Sequence, residues 1–288
     1  MAIFFLLIFC QTDTLRTTPG WLTWHPSGQS LVFSVMQTKA DWSDFKPDKW
    51  HLIQLDLSSN KTTILDRGSI YADYAPDGNY LAVARLVDGQ RDIWLRDKDG
   101  RWSQVTHDES RESGPEWTHD GAGLLYNGDV DGHMEILIWD RSSGEVKPVT
   151  SWAGPKPYNP QCAFNKGDIL FYLEKGDGKD QIFLMSLGSG SMRNLSKNDH
   201  HEYFPRWIDD HSYFFQRGDE GVYMRRIDDP NDAVLLIPEG IFACVSPDHQ
   251  RSAWFQRTVN GVELKISSWP LNAKETSVVW DASQFPSD

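Results

Sequence analysis

Runs of four to seven residues rich in Val, Ile, Leu, Phe, Tyr and Trp alternate along this chain with clusters of Gly, Asp, Asn, Ser and Pro. SLVFSV (30–35), YLAVARL (80–86), DILFYL (168–173) and SYFFQ (212–216) are examples. No window of 12 or more residues places apolar side chains at i, i+3, i+4 and i+7 between plausible caps. The pattern therefore predicts short strands joined by tight turns, with almost no helix.

The runs recur in a fixed order. TWHPSGQSLVF (from Thr23), DYAPDGNYLAV (Asp73), EWTHDGAGLLY (Glu116), QCAFNKGDILF (Gln161), RWIDDHSYFF (Arg206) and CVSPDHQRSAWF (Cys244) can be laid on one another. Each joins an aromatic or apolar residue, a polar turn and a second apolar strand. The slot is filled by Trp24, Tyr74, Trp117, Cys162, Trp207 and Val245, at intervals of 50, 43, 45, 45 and 38 residues. A Gly/Asp turn follows in most copies (VDGQ, GDVDG, RGDEG), then a third strand (WHLIQLD, DIWLRD, EILIWD, QIFLMS) and a short fourth (KTTIL, SQVT, KPVT, RNLS). Four antiparallel strands in roughly 44 residues make one propeller blade. One such sheet cannot bury both faces, whereas six stacked around an axis can. The expected fold is all-β: a single six-bladed β-propeller over residues 19–288, preceded by residues 1–18 as a signal, lipoprotein-like or edge-strand segment.

The W-x-P-D-G-type turn before an apolar strand, then I-W/F-x-x-D and a terminal L-T or V-T, resembles the TolB-like β-propeller repeat. APDGNYLAV, GPEWTHDGAGLLY and VSPDHQRSAWF carry the resemblance, which covers nearly the whole chain beyond residue 18. It extends to the propeller part only; nothing here corresponds to the α/β domain that precedes it in TolB. The resemblance implies a periplasmic or secreted propeller, typically a protein-binding scaffold. Similar blades occur in carbohydrate-active enzymes and ahead of serine peptidase domains.

Composition narrows the partners. Acidic residues outnumber basic ones 41 to 28, a formal charge of -13, and no basic stripe compensates. That field repels a phosphate backbone, so nucleic acid is not expected as a partner. Of the three cysteines, Cys10, Cys162 and Cys244, no two form a C-x-x-C, which excludes zinc-ribbon and thioredoxin-type sites. The apolar run from Ala2 to Phe9 is too short to span a bilayer and matches the h-region of a signal. Any membrane attachment would run through a lipid on Cys10.

Three groups of residues are candidates for function. The linkers THDESRESGPEW (106–117) and LSKNDHHEYFPRW (195–207) occupy the same place in successive blade connections. They are expected to bring His107, Asp108, Glu109, Glu112, Asp199, His200, His201 and Glu202 to the channel mouth. Imidazoles with carboxylates there could bind a ligand or a divalent metal. Blade one carries the longest insertion, between Met36 and Trp50, where Trp42, Phe45 and Trp50 alternate with Asp and Lys as in a recognition loop. Asp129 and Asp131, in NGDVDG, are weak metal candidates beside His200 and His201, but a hairpin tip explains them as well. His119 sits in a slot used elsewhere by Pro26, Pro76 and Pro247, and reads as a turn residue.

No G-x-S-x-G is present, and no catalytic residue is assigned. The expectation is an exported, monomeric scaffold that binds a protein or small ligand at the channel mouth, with no required cofactor. The competing expectation is a metal-assisted carbohydrate lyase or hydrolase using the same mouth.

Overall fold

The computed structural model describes residues 15–286, apart from 153, 165–166, 175–178, 230, 232 and 260. Its 24 strands form six four-stranded antiparallel sheets, each made of four consecutive strands in meander order. Three short 3-10 turns are the only helical elements among the described residues. The six-bladed propeller read from the repeats is the fold.

The innermost strands of blades one to six are Leu15–Trp24, Ile70–Tyr74, Ser113–Trp117, Lys156–Cys162, Glu202–Asp209 and Gly240–Val245. Among the described residues, blade one's innermost strand already runs from Leu15, ahead of residue 19. The apolar run and Cys10 lie outside the described residues.

The repeated turn closes the first hairpin of each blade. In four blades the same backbone bond of 2.8 Å forms it: Gly28 N–H to His25 O, Gly78 to Ala75, Gly121 to Thr118 and His249 to Ser246. The donor has φ of 68°, 70°, 68° and 54° respectively. That left-handed conformation is why three blades use Gly there, and why His249 in blade six is a costlier choice.

Every innermost strand also carries a bulge near its middle, at Pro19/Leu22, Ile70/Asp73, Ser113/Glu116, Tyr158/Gln161, Tyr203/Arg206 and Ile241/Cys244. In five of them a residue has positive φ: Tyr71, Gly114, Asn159, Phe204 and Phe242. A bulge re-aims the side chains that flank it. Here it drives aromatic rings onto the propeller axis.

Blade one closes the ring against blade six through side chains. Leu22, Trp24, Leu31, Phe33 and Ile53 pack with Ile241, Ala253, Phe255, Leu264 and Trp280 in one buried cluster. Phe33 lies 5.1 Å from Trp280 and 5.6 Å from Phe255, ring to ring. The Arg251 guanidinium covers the Trp24 ring at 4.8 Å and donates to Gly28 O at 2.6 Å. Among the described residues no strand of one end completes the other end's sheet.

Candidate functional site

An aromatic plug divides the central channel. The Trp21 ring of blade one meets Tyr71 of blade two at 5.8 Å, Phe204 of blade five at 6.0 Å and Phe242 of blade six at 5.5 Å. Blades one and five are not neighbours, so the Trp21–Phe204 contact crosses the axis. Phe204 and Phe242 stand 5.0 Å apart, and Tyr172 closes on Phe204 at 5.7 Å. The plug leaves a cavity at each end.

The end where the innermost strands finish holds a cup of about 370 Å³. Its floor includes Thr23, Asp73 and Arg206, and its wall includes Trp24, Tyr74, Trp117 and Trp207. Pro26, Pro76, His119, Phe164, Pro247 and His249, all from first-hairpin turns, form the rim. The Phe164 ring stacks on His119 of blade three at 4.4 Å and reaches His249 of blade six at 5.7 Å. Blade five lies between Phe164's own blade and blade six, so this ring leans across the opening.

The residue just before the aromatic slot faces the axis in each blade. The series is Thr23, Asp73, Glu116, Gln161, Arg206 and Cys244. Hydrogen bonds link them around the channel. Asp73 accepts from the Thr23 hydroxyl at 3.3 Å and from the Trp117 backbone N–H at 2.9 Å. Glu116 accepts from Gln161 Nε2 at 3.0 Å, and the Trp207 indole donates to Gln161 O at 3.1 Å. Arg206 donates across the axis to Leu22 O at 2.8 Å and covers the Trp21 ring at 4.8 Å.

Two carboxyl groups therefore share this ring with one guanidinium. Burial pushes the Asp73 carboxyl above the usual range, against the Trp117 hydrogen bond and the Arg206 charge. Glu116 is raised well above it, by burial first and then by the Asp73 charge, with Arg206 opposing. Burial also pushes the Cys162 and Cys244 thiols up to about 11, so neither is a ready nucleophile.

None of the eight linker candidates lines this cup. The two linkers enter blades three and five, so they are separated by blade four and are not successive. They belong to the opposite end of the channel, whose cavity of about 720 Å³ is lined on its blade five, six and one sides by Tyr203, Phe204, Phe242, Arg16 and Arg257. None of the eight candidates lines it. His107, Glu109, Asp199 and His200 are exposed, and Asp108 caps the Ser110 N–H at 2.8 Å. His201 lies against Tyr203 at 4.3 Å, with Asp180 3.4 Å from its Nδ1. Glu112 and Glu202 are fully buried inside their blades. Asp129 holds the hairpin tip by accepting from Gly132 N–H at 2.7 Å, and Asp131 occupies the turn at φ 53°. Among the described residues no group of three or more His, Cys, Asp and Glu converges as a metal would require.

The blade-one loop divides in two. Trp42 and Phe45 are 40% and 47% exposed with rings 6.2 Å apart, whereas Trp50 packs inward against the core between blades two and three. Asp44 fixes the loop by accepting from Lys39 N–H at 2.7 Å and Lys49 Nζ at 2.5 Å.

The channel ring was missed in the sequence although a signal was present. Once the repeats are aligned, the position before the aromatic slot reads Thr, Asp, Glu, Gln, Arg, Cys. Five polar residues at one register of an otherwise apolar inner strand mark an axis-facing position. His119, read as a turn residue, is one, and the same turn carries it to the rim.

Comparison with known proteins agrees with this architecture. An uncharacterized protein of Agrobacterium fabrum, Atu1656, is 25% identical over 134 residues, 44% of this chain and 46% of its own. The uncharacterized peptidase YuxL of Bacillus subtilis is 29% identical over 149 residues, 49% of this chain and 21% of its own. The chain thus spans under half the length of the curated relatives it matches. The crystal structure of TolB from Acinetobacter baumannii superposes with a TM-score of 0.64 at 17% identity, covering 88% of this chain and 61% of that one. The TolB β-propeller domain model, PD40, matches residues 23–208, and the chain belongs to that family of propellers.

Proposed function

We propose that this chain is an exported binding module that takes a segment of a partner polypeptide in the 370 Å³ cup at the hairpin-turn end of the channel. The cup itself carries the reading. It sets large, rigid side chains (Trp24, Tyr74, Trp117, Phe164, Trp207) over a hydrogen-bonded polar floor. Aromatic walls supply contact area at small entropic cost, and a few fixed polar groups supply orientation. The turns that form the rim are held by backbone bonds, so the shape exists before a partner arrives. A volume of this size admits a loop or chain terminus, not a folded domain. Export is supported by the Ala2–Phe9 apolar run and by membership of the TolB propeller family.

The test is site-specific photo-crosslinking in the native cell. A photoreactive residue at position 249, on the rim, should yield one dominant polypeptide adduct. The same residue at position 146, on an outer strand, should not. Equal labelling from both positions, or none from 249, would overturn the reading.

A further inference from the structure

We propose that the floor of the cup is a cation subsite, in which Asp73, backed by the Glu116 carboxyl at the same register of the adjacent innermost strand, receives a primary ammonium on an apolar stem, such as the side chain of a lysine. This deepens the binding reading and rests on it.

The geometry favours a monovalent organic cation. Asp73 and Glu116 occupy the same register of adjacent innermost strands, and among the described residues their hydrogen-bond donors are neutral: Thr23 and the Trp117 and Tyr74 N–H groups for one, Gln161 for the other. Among the described residues Arg206 is the cation whose charge acts on both, and it is committed to Leu22 O and the Trp21 ring. If both carboxyls ionise, the ring is left with one uncompensated negative charge. Arg206 also disfavours a compact divalent ion, for which no third His, Cys, Asp or Glu converges among the described residues. Above the floor, Tyr74, Trp117, Trp207 and Phe164 give an aromatic sleeve suited to methylene groups and to the face of an ammonium. The net charge of -13 draws cations towards the surface from a distance.

Binding has a proton cost that identifies the site. With both carboxyls held above their ordinary range by burial, the empty pair ionises at higher pH than ordinary carboxyls do. An arriving ammonium favours the ionised pair, so protons the pair still holds pass to the buffer. Affinity therefore rises with pH as the pair ionises. The other charged and titratable groups around the pair are Arg206, the Tyr74 hydroxyl, the thiols of Cys162 and Cys244, Asp120 near Cys162 and, at the rim, His119 and His249. Burial holds the tyrosine and both thiols protonated between pH 5 and pH 8.

Isothermal titration of the full chain with acetyl-Gly-Lys-Gly-amide, in two buffers of different ionisation enthalpy, reads both quantities. The norleucine peptide, which keeps the stem and lacks the charge, is the control. The lysine peptide should bind at least about tenfold more tightly than the control and release a proton, more tightly at pH 8 than at pH 5. Glu116→Gln, which keeps the Gln161 bond, and Asp73→Asn should each weaken lysine binding by roughly 30-fold and reduce the proton release. Their melting curves establish that they fold; if one does not, the wild-type peptide comparison and proton release decide alone. Equal binding of both peptides, no binding of the lysine peptide at millimolar concentration, or no proton release would overturn the subsite. A pH slope that survives in both Glu116→Gln and Asp73→Asn would also overturn it. Position-specific crosslinking at 249 alongside any such result would show that the cup binds a partner without this subsite.

Discussion

Glu112 and Glu202 occupy the same position in blades three and five, yet their buried charges are handled in opposite ways. Each lies five residues before the aromatic slot, and its backbone N–H bonds back to the preceding blade, Glu112 to Arg91 O at 3.0 Å and Glu202 to Asp180 O at 2.8 Å. Both are fully buried. Glu202 pairs with Arg225 at 2.8 Å and Arg217 at 2.6 Å. In blade three the corresponding places hold Trp139 and Gly128, so Glu112 has hydroxyl donors, Thr106 and Ser110, and an acidic neighbour, Asp108. Burial pushes the Glu112 carboxyl up to about 8. Burial works on Glu202 in the same direction, but hydrogen bonds from Arg225 and Arg217 outweigh it and hold the carboxyl below its ordinary range.

Glu112→Gln should therefore stabilise the protein at alkaline pH. The folded state keeps a proton on Glu112 between its ordinary value of 4.5 and about 8, whereas the unfolded chain gives it up. The wild type loses stability as pH rises through that window, and the glutamine variant lacks this loss. Urea melts at pH 5 and pH 9 should show the variant gaining about 1–3 kcal/mol relative to wild type across the window. An unchanged difference between the two pH values would contradict the assignment.

Glu202→Gln should have the reverse effect. Its stabilisation is present above the ordinary carboxylate value and is lost as pH falls through the depressed one. Removing the carboxylate leaves the 1% exposed Arg225 without its anion. The expected loss is about 3–5 kcal/mol at pH 7, shrinking in acid, measured by the same melts.

Closure of the ring depends on Trp280, which is fully buried against Phe33 and Phe255. Trp280→Ala should cost about 3–5 kcal/mol. Its indole N–H finds no partner among the described residues. Trp280→Phe should thus retain the seam with a loss under about 1.5 kcal/mol. Thermal melting of the two variants gives the comparison; an equal loss in both would place the stabilisation in the indole rather than in packing.

In the blade-one loop, exposure separates binding from folding. Trp42→Ala and Phe45→Ala should alter stability by no more than about 0.5 kcal/mol, because both rings stand in solvent. Trp50→Ala, facing the inward core, should cost about 3–5 kcal/mol. If the exposed pair contacts a partner, crosslinking from position 42 should fall on the same polypeptide as crosslinking from position 249.

Much of the molecule was legible from local chemistry. Turn residues such as Asp77-Gly78 and Asp120-Gly121 announce their hairpins because φ near 70° suits glycine and the aspartates accept from N–H groups two residues on. Alternating apolar strands of fixed length between such turns admit few arrangements, and six copies specify a propeller. The same reading placed Cys162 and Cys244 on inner strands of blades four and six, where both are free and buried. It did not show which end of the channel the two linkers rim or how far apart around the ring they sit, because a loop's place in the repeat carries neither.

Sequence alone thus determined blade number, strand order and turn positions, all of which rest on neighbours within about 44 residues. Only the folded ring decided which polar side chains meet. Asp73, Glu116 and Arg206 are 43 and 90 residues apart in the chain and act on one another because bulged strands from three blades turn them to a common axis. Within blade five, strand pairing gave Glu202 two arginines, where the same places in blade three hold none for Glu112. Charge partners are set by distance through space, and that distance exists only once strands pair and blades stack.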